Sequence, residues 1–472
     1  MLPVRTVRRR WLLIVALLFV GFACGLGVRW LLTAAQVGAG FAAKVTCSLV
    51  HVAGFDARHV VDDYVVHEVA PLGPALAVEV TPDGARARVA GGLLSARAVR
   101  RPGLGCTLVE SGERWTVAGP ASGITDERRR LDPTLPWPEG DAPLTEPPPP
   151  AVAAAIERAF AEPGPPGRRQ TKAIVVARDG RLVAERYAPG VGPETPLLSW
   201  SMAKSVTMAL VGTLVQEGRL DPTAPAAVPE WARDGDPRRA ITLDQLLRQS
   251  SGLAFDETYG PTNDVSRMLF AQPDTGAFAA LSPLAFPPDT HWAYSSGTTN
   301  LIGRLVRDLF GGDLAAMVRH ANAELFDPVG MTSAFFEPDA SGSFVGSSYA
   351  YMTARDWARF GELFRRDGVW EGRRILPEGW VRYATTPTPA APRGAYGAHW
   401  WLNAGTPGAP DDRPWPRIPP EVYAARGHSG QWVAVVPSAR LVVVRLGLTV
   451  PDEEAVDGTE TLIAELLEAF GE

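Results

Sequence analysis

The clearest hydrophobic pattern is a pair of apolar hairpins at opposite ends of residues 151–472. KAIVVARDGRLVAERY, at 172–187, contains two short apolar runs joined by Asp-Gly, a dipeptide favoured in tight hairpin turns. QWVAVVPSARLVVVRLGL, at 431–448, repeats the pattern, and residues 461–470 then show the spacing of an amphipathic helix. Another helix is predicted at 151–162. We therefore expect an α+β domain in which both ends build one antiparallel sheet, flanked by helices and carrying an inserted helical region.

The pattern before residue 151 is different. ALAVEV at 75–80, the turn TPDG and RARV at 86–89 predict another hairpin, and GCTLV at 105–109 a further strand. LDPTLPWPEGDAPLTEPPPP, at 131–150, holds too much proline for a helix or a central strand and indicates a linker. We predict a small N-terminal domain at 44–130, a linker at 131–150 and the main domain at 151–472. The sequence assigns no chemistry to the small domain.

Residues 1–43 have the features of a membrane anchor. MLPVRTVRRR carries four arginines and no acid, and residues 11–28 then contain no charge. Eighteen such residues predict a single membrane-spanning helix, with the arginines cytoplasmic and everything after about residue 40 in the periplasm. Two processed alternatives release the chain into the periplasm, through a signal-peptidase site at 40–42 or a twin-arginine signal at 8–12. Cys24 lacks the leucine that precedes a lipoprotein cysteine.

Composition narrows the classes of function. The net charge of −6 is mild, and no basic block follows the N-terminus, which argues against a nucleic-acid partner. The absence of CxxC, HExxH and Cys/His clusters predicts no metal and no cofactor. Cys47 and Cys106 are the cysteines of the exported part, and an oxidising compartment favours a disulfide between them, worth roughly 4 kcal/mol for a loop of about 60 residues. Two buried free thiols are the alternative.

The first candidate for chemistry is a serine and lysine pair in WSMAKSVTMALVGTLVQEG, at 200–218. The apolar spacing predicts a helix, with Ser201 at its start and Lys204 one turn later on the same face. Only three of the 46 basic residues are lysines. Unlike arginine, a buried lysine can lose its proton and act as a base for the serine hydroxyl. An exposed lysine on a helix capped by serine is the structural alternative.

Two further motifs occur downstream. HWAYSSGTTN, at 291–300, places Tyr294 in a loop before a helix, where a neighbouring ammonium can help a phenol ionise or relay a proton. RGHSGQ, at 426–431, precedes the C-terminal hairpin, and its small residues allow a strand edge to approach a substrate. Each motif alone also fits an ordinary turn.

Together and in this order, the three motifs resemble the serine hydrolases of the class C β-lactamase and penicillin-binding-protein group. The resemblance covers about 150–470, and TLDQLLRQSSGL at 242–253, SYAYMTARDWARFG at 348–361 and RILPEGW at 374–380 place it nearest the esterase and 6-aminohexanoate-dimer hydrolase branch. It implies Ser201 as nucleophile, Lys204 as base and Tyr294 as proton relay. It also implies an oxyanion hole from the backbone amides of Ser201 and Gln431, and a lid tyrosine at Tyr259 that contacts substrate.

This sequence departs from the β-lactamase pattern at two motifs. Ser296 stands where Tyr-x-Asn has its asparagine, and His428-Ser429-Gly430 stands where Lys-[Ser/Thr]-Gly is usual. A mostly neutral histidine is a weaker partner for a substrate carboxylate than lysine. We therefore expect Ser296, His428, Ser429 and Gly430 to line a site for small-molecule esters or linear amides.

Two alternatives remain open at this point. One is a D-Ala-D-Ala carboxypeptidase or β-lactamase that uses His428 in place of the lysine. The other is a non-catalytic, membrane-anchored binding protein on a hydrolase scaffold.

Overall fold

The computed structural model describes residues 4–112, 114–119, 128–164, 168–450 and 457–472, with the backbone alone for 4–24. The helices are α1 Val4–His51, α2 Ala57–Val60, α3 Val66–Glu68, α4 Pro150–Phe160, α5 Ala203–Gln216, α6 Leu243–Leu247, α7 Asp264–Ala271, α8 Thr275–Ala280, α9 Ser296–Leu309, α10 Leu314–Ala321, α11 Asp327–Val329, α12 Ala354–Arg365, α13 Trp380–Thr385 and α14 Thr459–Phe470. Short 3₁₀ turns are found at Gly73–Ala75, Ala90–Gly92, Trp200–Met202, Pro229–Trp231, Pro237–Ala240 and Pro392–Gly394, and π-turns at Val61–Val65 and Asn322–Phe326.

The strands are β1 Leu76–Thr81, β2 Gly84–Val89, β3 Leu94–Arg101, β4 Gly105–Ser111, β5 Thr171–Arg178, β6 Arg181–Tyr187, β7 Leu197–Leu198, β8 Phe335–Phe336, β9 Ala350–Met352, β10 Val369–Trp370, β11 Arg373–Arg374, β12 Trp401–Leu402, β13 Tyr423–Gly427, β14 Gln431–Val436 and β15 Leu441–Gly447. The largest sheet has the order β12-β13-β14-β15-β5-β6 and is antiparallel throughout. Strand β5 pairs with β15, so the prediction of a sheet assembled from both ends of the domain is confirmed.

The central strands of this sheet are buried on both faces. On one face, alternate residues such as Val175, Val433 and Val442 join the main core beneath α5 and α12. On the other face, Val176 and Val443 pack with α4 and α14. Burial on two sides explains why these strands have nearly continuous apolar runs rather than a strict alternation.

The N-terminal part packs on the main domain through a buried ion pair. Lys44 of α1 contacts the Glu337 carboxylate, which also accepts hydrogen bonds from Ser48 Oγ (2.8 Å) and the Cys106 backbone N–H (2.6 Å). A disulfide joins Cys47 to Cys106 and so links α1 to β4. Helix α1 passes without a break through the predicted boundary at 43–44, and its second half shares the main core.

Helix α1 packs closely against helix α7 at Gly40. A Cβ at Gly40 would lie 1.8 Å from the Phe270 carbonyl oxygen on α7, so only glycine allows this contact. Gly40 belongs to the proposed signal-peptidase site at 40–42, and the next residue, Phe41, is buried. The predicted span at 11–28 lies largely outside the residues whose side chains are described. Among the described residues, no helix combines the length and apolar character needed to cross a membrane.

The predicted linker at 131–150 packs against the main domain. Trp137 is buried, and Arg359 donates from Nε to the Pro138 carbonyl (3.1 Å) and from Nη2 to the Gly140 carbonyl (2.7 Å). The segment forms no strand and no helix before Pro150, and two of its carbonyl groups are paired with the buried Arg359 guanidinium. The segment is thus an ordered part of the surface of the main domain.

Candidate active site

Ser201 lies in a turn between strand β7 and helix α5. The chain leaves β7 at Leu198, forms the 3₁₀ turn Trp200–Met202 and enters α5 at Ala203. Trp200 has φ +44°, a left-handed conformation that is uncommon for a bulky residue. The buried Trp200 indole donates from Nε1 to the Tyr64 hydroxyl (3.1 Å), which helps to hold this conformation. The turn leaves Ser201 half-buried at the first turn of a buried helix.

Lys204 lies beside Ser201 with its amine enclosed. Its Nζ is 3.1 Å from Ser201 Oγ, 3.0 Å from Ser296 Oγ and 3.2 Å from the Ser347 carbonyl oxygen. The residue is only 1% exposed, and burial lowers the pKa of Lys204 to about 8, although the negative charge of Glu257 opposes that shift. With this pKa, roughly a tenth of the amine is neutral at pH 7 and about half at pH 8, and the neutral form can accept the serine proton. The alternative of an exposed helix lysine does not fit this environment.

Tyr294 lies next to Lys204 and Ser201. Lys204 Nζ lies 4.6 Å from the centre of the Tyr294 ring, and the Ser201 side chain is near enough to the Tyr294 hydroxyl to lower its pKa. Burial raises the pKa of Tyr294, because loss of water disfavours the phenolate more than the surrounding groups favour it. Burial thus disfavours an ionised phenolate, and the role of Tyr294 as proton relay stays a prediction.

Glu257 is a site residue that the sequence analysis missed. Its carboxylate accepts hydrogen bonds from the Ser296 backbone N–H (2.7 Å) and from Ser296 Oγ (2.5 Å). Burial raises the pKa of Glu257, while the charge of Lys204 opposes that rise. The available signal was an acid two positions before Tyr259 in FDETYG, in a segment already connected with substrate.

The edge of the large sheet brings backbone close to Ser201. A Cβ at Gly427 would lie 2.1 Å from the Ser199 carbonyl oxygen and 3.0 Å from the Ser201 backbone nitrogen, so a side chain here is excluded. Gly427 is paired in register with Gln431 across the β13–β14 turn. The predicted oxyanion-hole residues Ser201 and Gln431 are thus on adjacent segments of backbone.

The turn at residues 428–430 is tightly held. Gln431 Nε2 donates to the carbonyl oxygens of His428 (3.1 Å), Ser429 (3.1 Å) and Gly447 (2.6 Å). Ser429 and Gly430 have φ +61° and +76°, and these hydrogen bonds fix the left-handed backbone.

His428 and Ser429 contact the N-terminal part of the chain. His428 Nε2 is 3.2 Å from both carboxylate oxygens of Glu68, and Ser429 Oγ is 2.9 Å from the Tyr64 hydroxyl. Tyr259 is half exposed and stacks on the His428 ring with 5.8 Å between centroids. The predicted lid tyrosine and the histidine of the third motif are therefore neighbours.

The described residues contain no cluster of three or more His, Cys, Asp or Glu side chains arranged to hold a metal ion. Among the predicted site residues, Ser201, Lys204, Tyr294 and Ser296 form one contiguous group. Outside this group, Tyr259 and His428 stack on each other, Ser429 contacts Tyr64, and Gly430 lies beside Arg445 and Thr449.

Comparison with known proteins assigns the chain to a family. The beta-lactamase family model matches residues 154–468. The chain is 28% identical over 267 residues to the 6-aminohexanoate-dimer hydrolase of Paenarthrobacter ureafaciens, which is 50% of this chain and 66% of that protein. It is 29% identical over 212 residues to penicillin-binding protein 4 of Amycolatopsis lactamdurans, which is 38% of this chain and 53% of that protein. The match thus spans less than two thirds of either relative.

A solved structure shows the same fold. A penicillin-binding-protein homolog from Caulobacter crescentus superposes with a TM-score of 0.51 at 18% identity, over 70% of this chain and 100% of that one. Because the family model covers well over half of the sequence, this chain belongs to the beta-lactamase family and has the α+β fold of the serine hydrolases related to β-lactamases and penicillin-binding proteins.

Proposed function

We propose that this protein is a serine hydrolase that cleaves a carboxylic ester or a small linear amide through an acyl-enzyme on Ser201. The observation that carries the proposal is the contact of 3.1 Å between Lys204 Nζ and Ser201 Oγ, together with the pKa of about 8 for the buried amine. A lysine that is partly neutral near pH 8 can activate a hydroxyl that is otherwise a poor nucleophile.

The reaction follows from the contacts of three side chains. Neutral Lys204 accepts the proton of Ser201 as Oγ attacks the substrate carbonyl carbon. The resulting oxyanion faces the backbone N–H groups of Ser201 and Gln431, which stabilise the charge. Tyr294 gives its proton to the leaving alcohol or amine and regains one from the Lys204 ammonium. Water then attacks the acyl-enzyme with Lys204 again as base, and the acid leaves with Ser201 restored.

Substitution of Ser201 tests this mechanism directly. We expect Ser201→Ala to abolish hydrolysis of p-nitrophenyl acetate and covalent labelling by a fluorophosphonate. Ser438→Ala, at an exposed serine in the β14–β15 turn, is the control and should match the wild type. Full activity in Ser201→Ala would exclude the acyl-enzyme. Absence of labelling in the wild type would favour a non-catalytic binding protein instead.

The acidic environment of His428 argues against a penicillin-recognising enzyme. The Glu68 carboxylate, 3.2 Å from His428, would repel a substrate carboxylate at the position where the family's lysine attracts one. We therefore expect esters to be turned over in preference to penicillins. Stable labelling by a fluorescent penicillin without ester turnover would reverse this assignment.

We infer further that the catalytic domain functions in the periplasm, with residues 11–28 as its membrane anchor. The disulfide between Cys47 and Cys106 supports an oxidising compartment. Thiol labelling after denaturation, with and without reduction, tests the assignment in cells. Free thiols in the protein isolated without reductant would place the domain in the cytoplasm.

A further inference from the structure

An apolar cavity lies between the N-terminal part of the chain and the candidate active site. Its volume is about 260 Å³. One wall is helix α1 from Trp30 to Phe41, and the opposite wall includes Trp200 and Tyr259. The cavity therefore lies beside the catalytic group, because Trp200 immediately precedes Ser201 and Tyr259 is two residues after Glu257, which accepts hydrogen bonds from Ser296.

The walls favour an apolar ligand. Ala34, Val37 and Phe41 of α1 line one side, and Phe270 of α7 lies across from them. The ionisable side chains of Glu68 and His428, at one end, are engaged with each other at 3.2 Å. A ligand without charge or hydrogen-bonding groups can thus fill the cavity without leaving these buried polar atoms unpaired.

Shape and opening restrict the ligand further. From Trp30 to Phe41 the helix advances about 16 Å, so the cavity follows a helix wall and is elongated. Trp30 and Leu31, at the outer end, are 51% and 59% exposed, which leaves an apolar mouth open to the surroundings. If each methylene takes the ~30 Å³ of a water molecule, the cavity holds about eight of them.

We propose that this cavity binds the alkyl chain of the substrate, so that the enzyme prefers esters with an apolar acyl chain of about eight carbons. The assignment rests on the proposed ester hydrolysis at Ser201 and specifies its substrate. The wall formed by α1 lies before residue 154, where the match to the family model begins, so the preference is a property of this chain's own N-terminal part.

A chain-length series of p-nitrophenyl esters tests the proposal in the full-length protein. Each buried methylene contributes about fourfold in kcat/KM, since burial is worth about 0.8 kcal/mol per CH₂. We expect kcat/KM to rise at least 100-fold from acetate to octanoate and to level off beyond about eight carbons. Equal kcat/KM values across the series would overturn the alkyl site without the need for any variant.

Ala34→Phe is the variant designed to fill the cavity, because Ala34 is 4% exposed and lies on the cavity wall. The added ring occupies the space for the chain, and we expect the ratio of octanoate to acetate hydrolysis to fall by more than tenfold. Val28→Phe, on the same helix at an exposed position that does not line the cavity, should keep the wild-type ratio. An unchanged ratio in Ala34→Phe would overturn the proposal.

The outcomes separate this proposal from the one on which it rests. Acetate hydrolysis that depends on Ser201 but shows no chain-length preference removes the alkyl site and leaves the proposed function intact. Hydrolysis that does not depend on Ser201 removes both. Fatty-acid release from phosphatidylcholine vesicles would identify a lipid as the source of the chain, whereas cleavage of monomeric octanoate alone would identify a free ester.

Discussion

At the scale of single residues, the three lysines occupy very different environments. Lys204 is buried beside Ser201, Lys44 is buried against Glu337, and Lys172 is partly buried at the start of β5. Rarity alone therefore does not mark a lysine as a proton-transfer group, and Lys204 is distinguished by its contact with Ser201. Lys44 has an equally buried amine whose partner is a carboxylate.

The pH dependence of activity follows from the pKa of Lys204. The base must be neutral to accept a proton, so kcat/KM should rise with pH through an inflection at about 8 and reach a plateau above it. Initial rates with p-nitrophenyl acetate between pH 6 and 9.5, corrected for spontaneous hydrolysis, measure this profile. A flat profile over that range would contradict a lysine base.

Glu257 should control the position of that inflection. Its negative charge favours the Lys204 ammonium and so raises the pKa of the amine. We expect Glu257→Gln to move the inflection in kcat/KM to lower pH, because the ammonium loses a stabilising charge. Asp256→Asn, at the exposed neighbouring acid, is the control and should leave the inflection near 8. An inflection that stays in place in Glu257→Gln would show that this carboxyl group is already neutral.

At the scale of elements, pattern and structure agree best where contacts are local. All three predicted hairpins and the C-terminal helix are confirmed, since turn residues and apolar spacing specify them within about 20 residues of chain. Helix α5 was predicted to have one apolar face, but residues 203–214 are buried on all sides. The spacing of apolar residues identifies the most apolar face of a helix. It does not show that a polar residue such as Ser205 is also buried, with its hydroxyl hydrogen-bonded to the His399 carbonyl oxygen.

Tyr64 connects two elements at the site. Its hydroxyl receives the Trp200 indole N–H and contacts Ser429 Oγ, so Tyr64→Phe leaves a buried donor without a partner. We expect the free energy of unfolding to fall by about 1–3 kcal/mol and kcat to fall severalfold with little change in KM. Tyr187→Phe, which loses a hydrogen bond to Glu185 away from the site, should keep the wild-type kcat. Equal kcat in both variants would limit Tyr64 to a structural role.

At the scale of the whole molecule, the N-terminal part is joined to the hydrolase domain by buried polar contacts. Burial lowers the pKa of Lys44 and raises the pKa of Glu337, and each charge opposes the shift of the other. Glu337 also accepts a hydrogen bond from the backbone N–H of Cys106, which is itself disulfide-bonded to Cys47 on α1. The sequence did not indicate this connection across the predicted boundary at residue 43, because an ion pair between residues almost 300 positions apart leaves no local sequence pattern.

Removal of one partner from this pair should be costly. We expect Glu337→Gln to lower the free energy of unfolding by about 3–5 kcal/mol, since it leaves the Lys44 ammonium buried without a counter-charge. Glu79→Gln breaks the exposed pair with Arg88 and should cost under about 1 kcal/mol. Urea denaturation of both variants measures the difference. Similar midpoints would mean that the buried pair contributes nothing to the docking of α1.

The sequence by itself determined the fold class and the core of the candidate site. Ser201 and Lys204 are one helical turn apart, so their proximity follows from helix geometry, and the sheet follows from local hairpins. Tertiary structure alone decided that Glu257 faces Ser296, that burial raises the pKa of Tyr294, and that α1 closes an apolar cavity beside Trp200. These features depend on burial and on contacts between distant segments. Composition and periodicity describe each segment alone and carry no information about which surfaces meet.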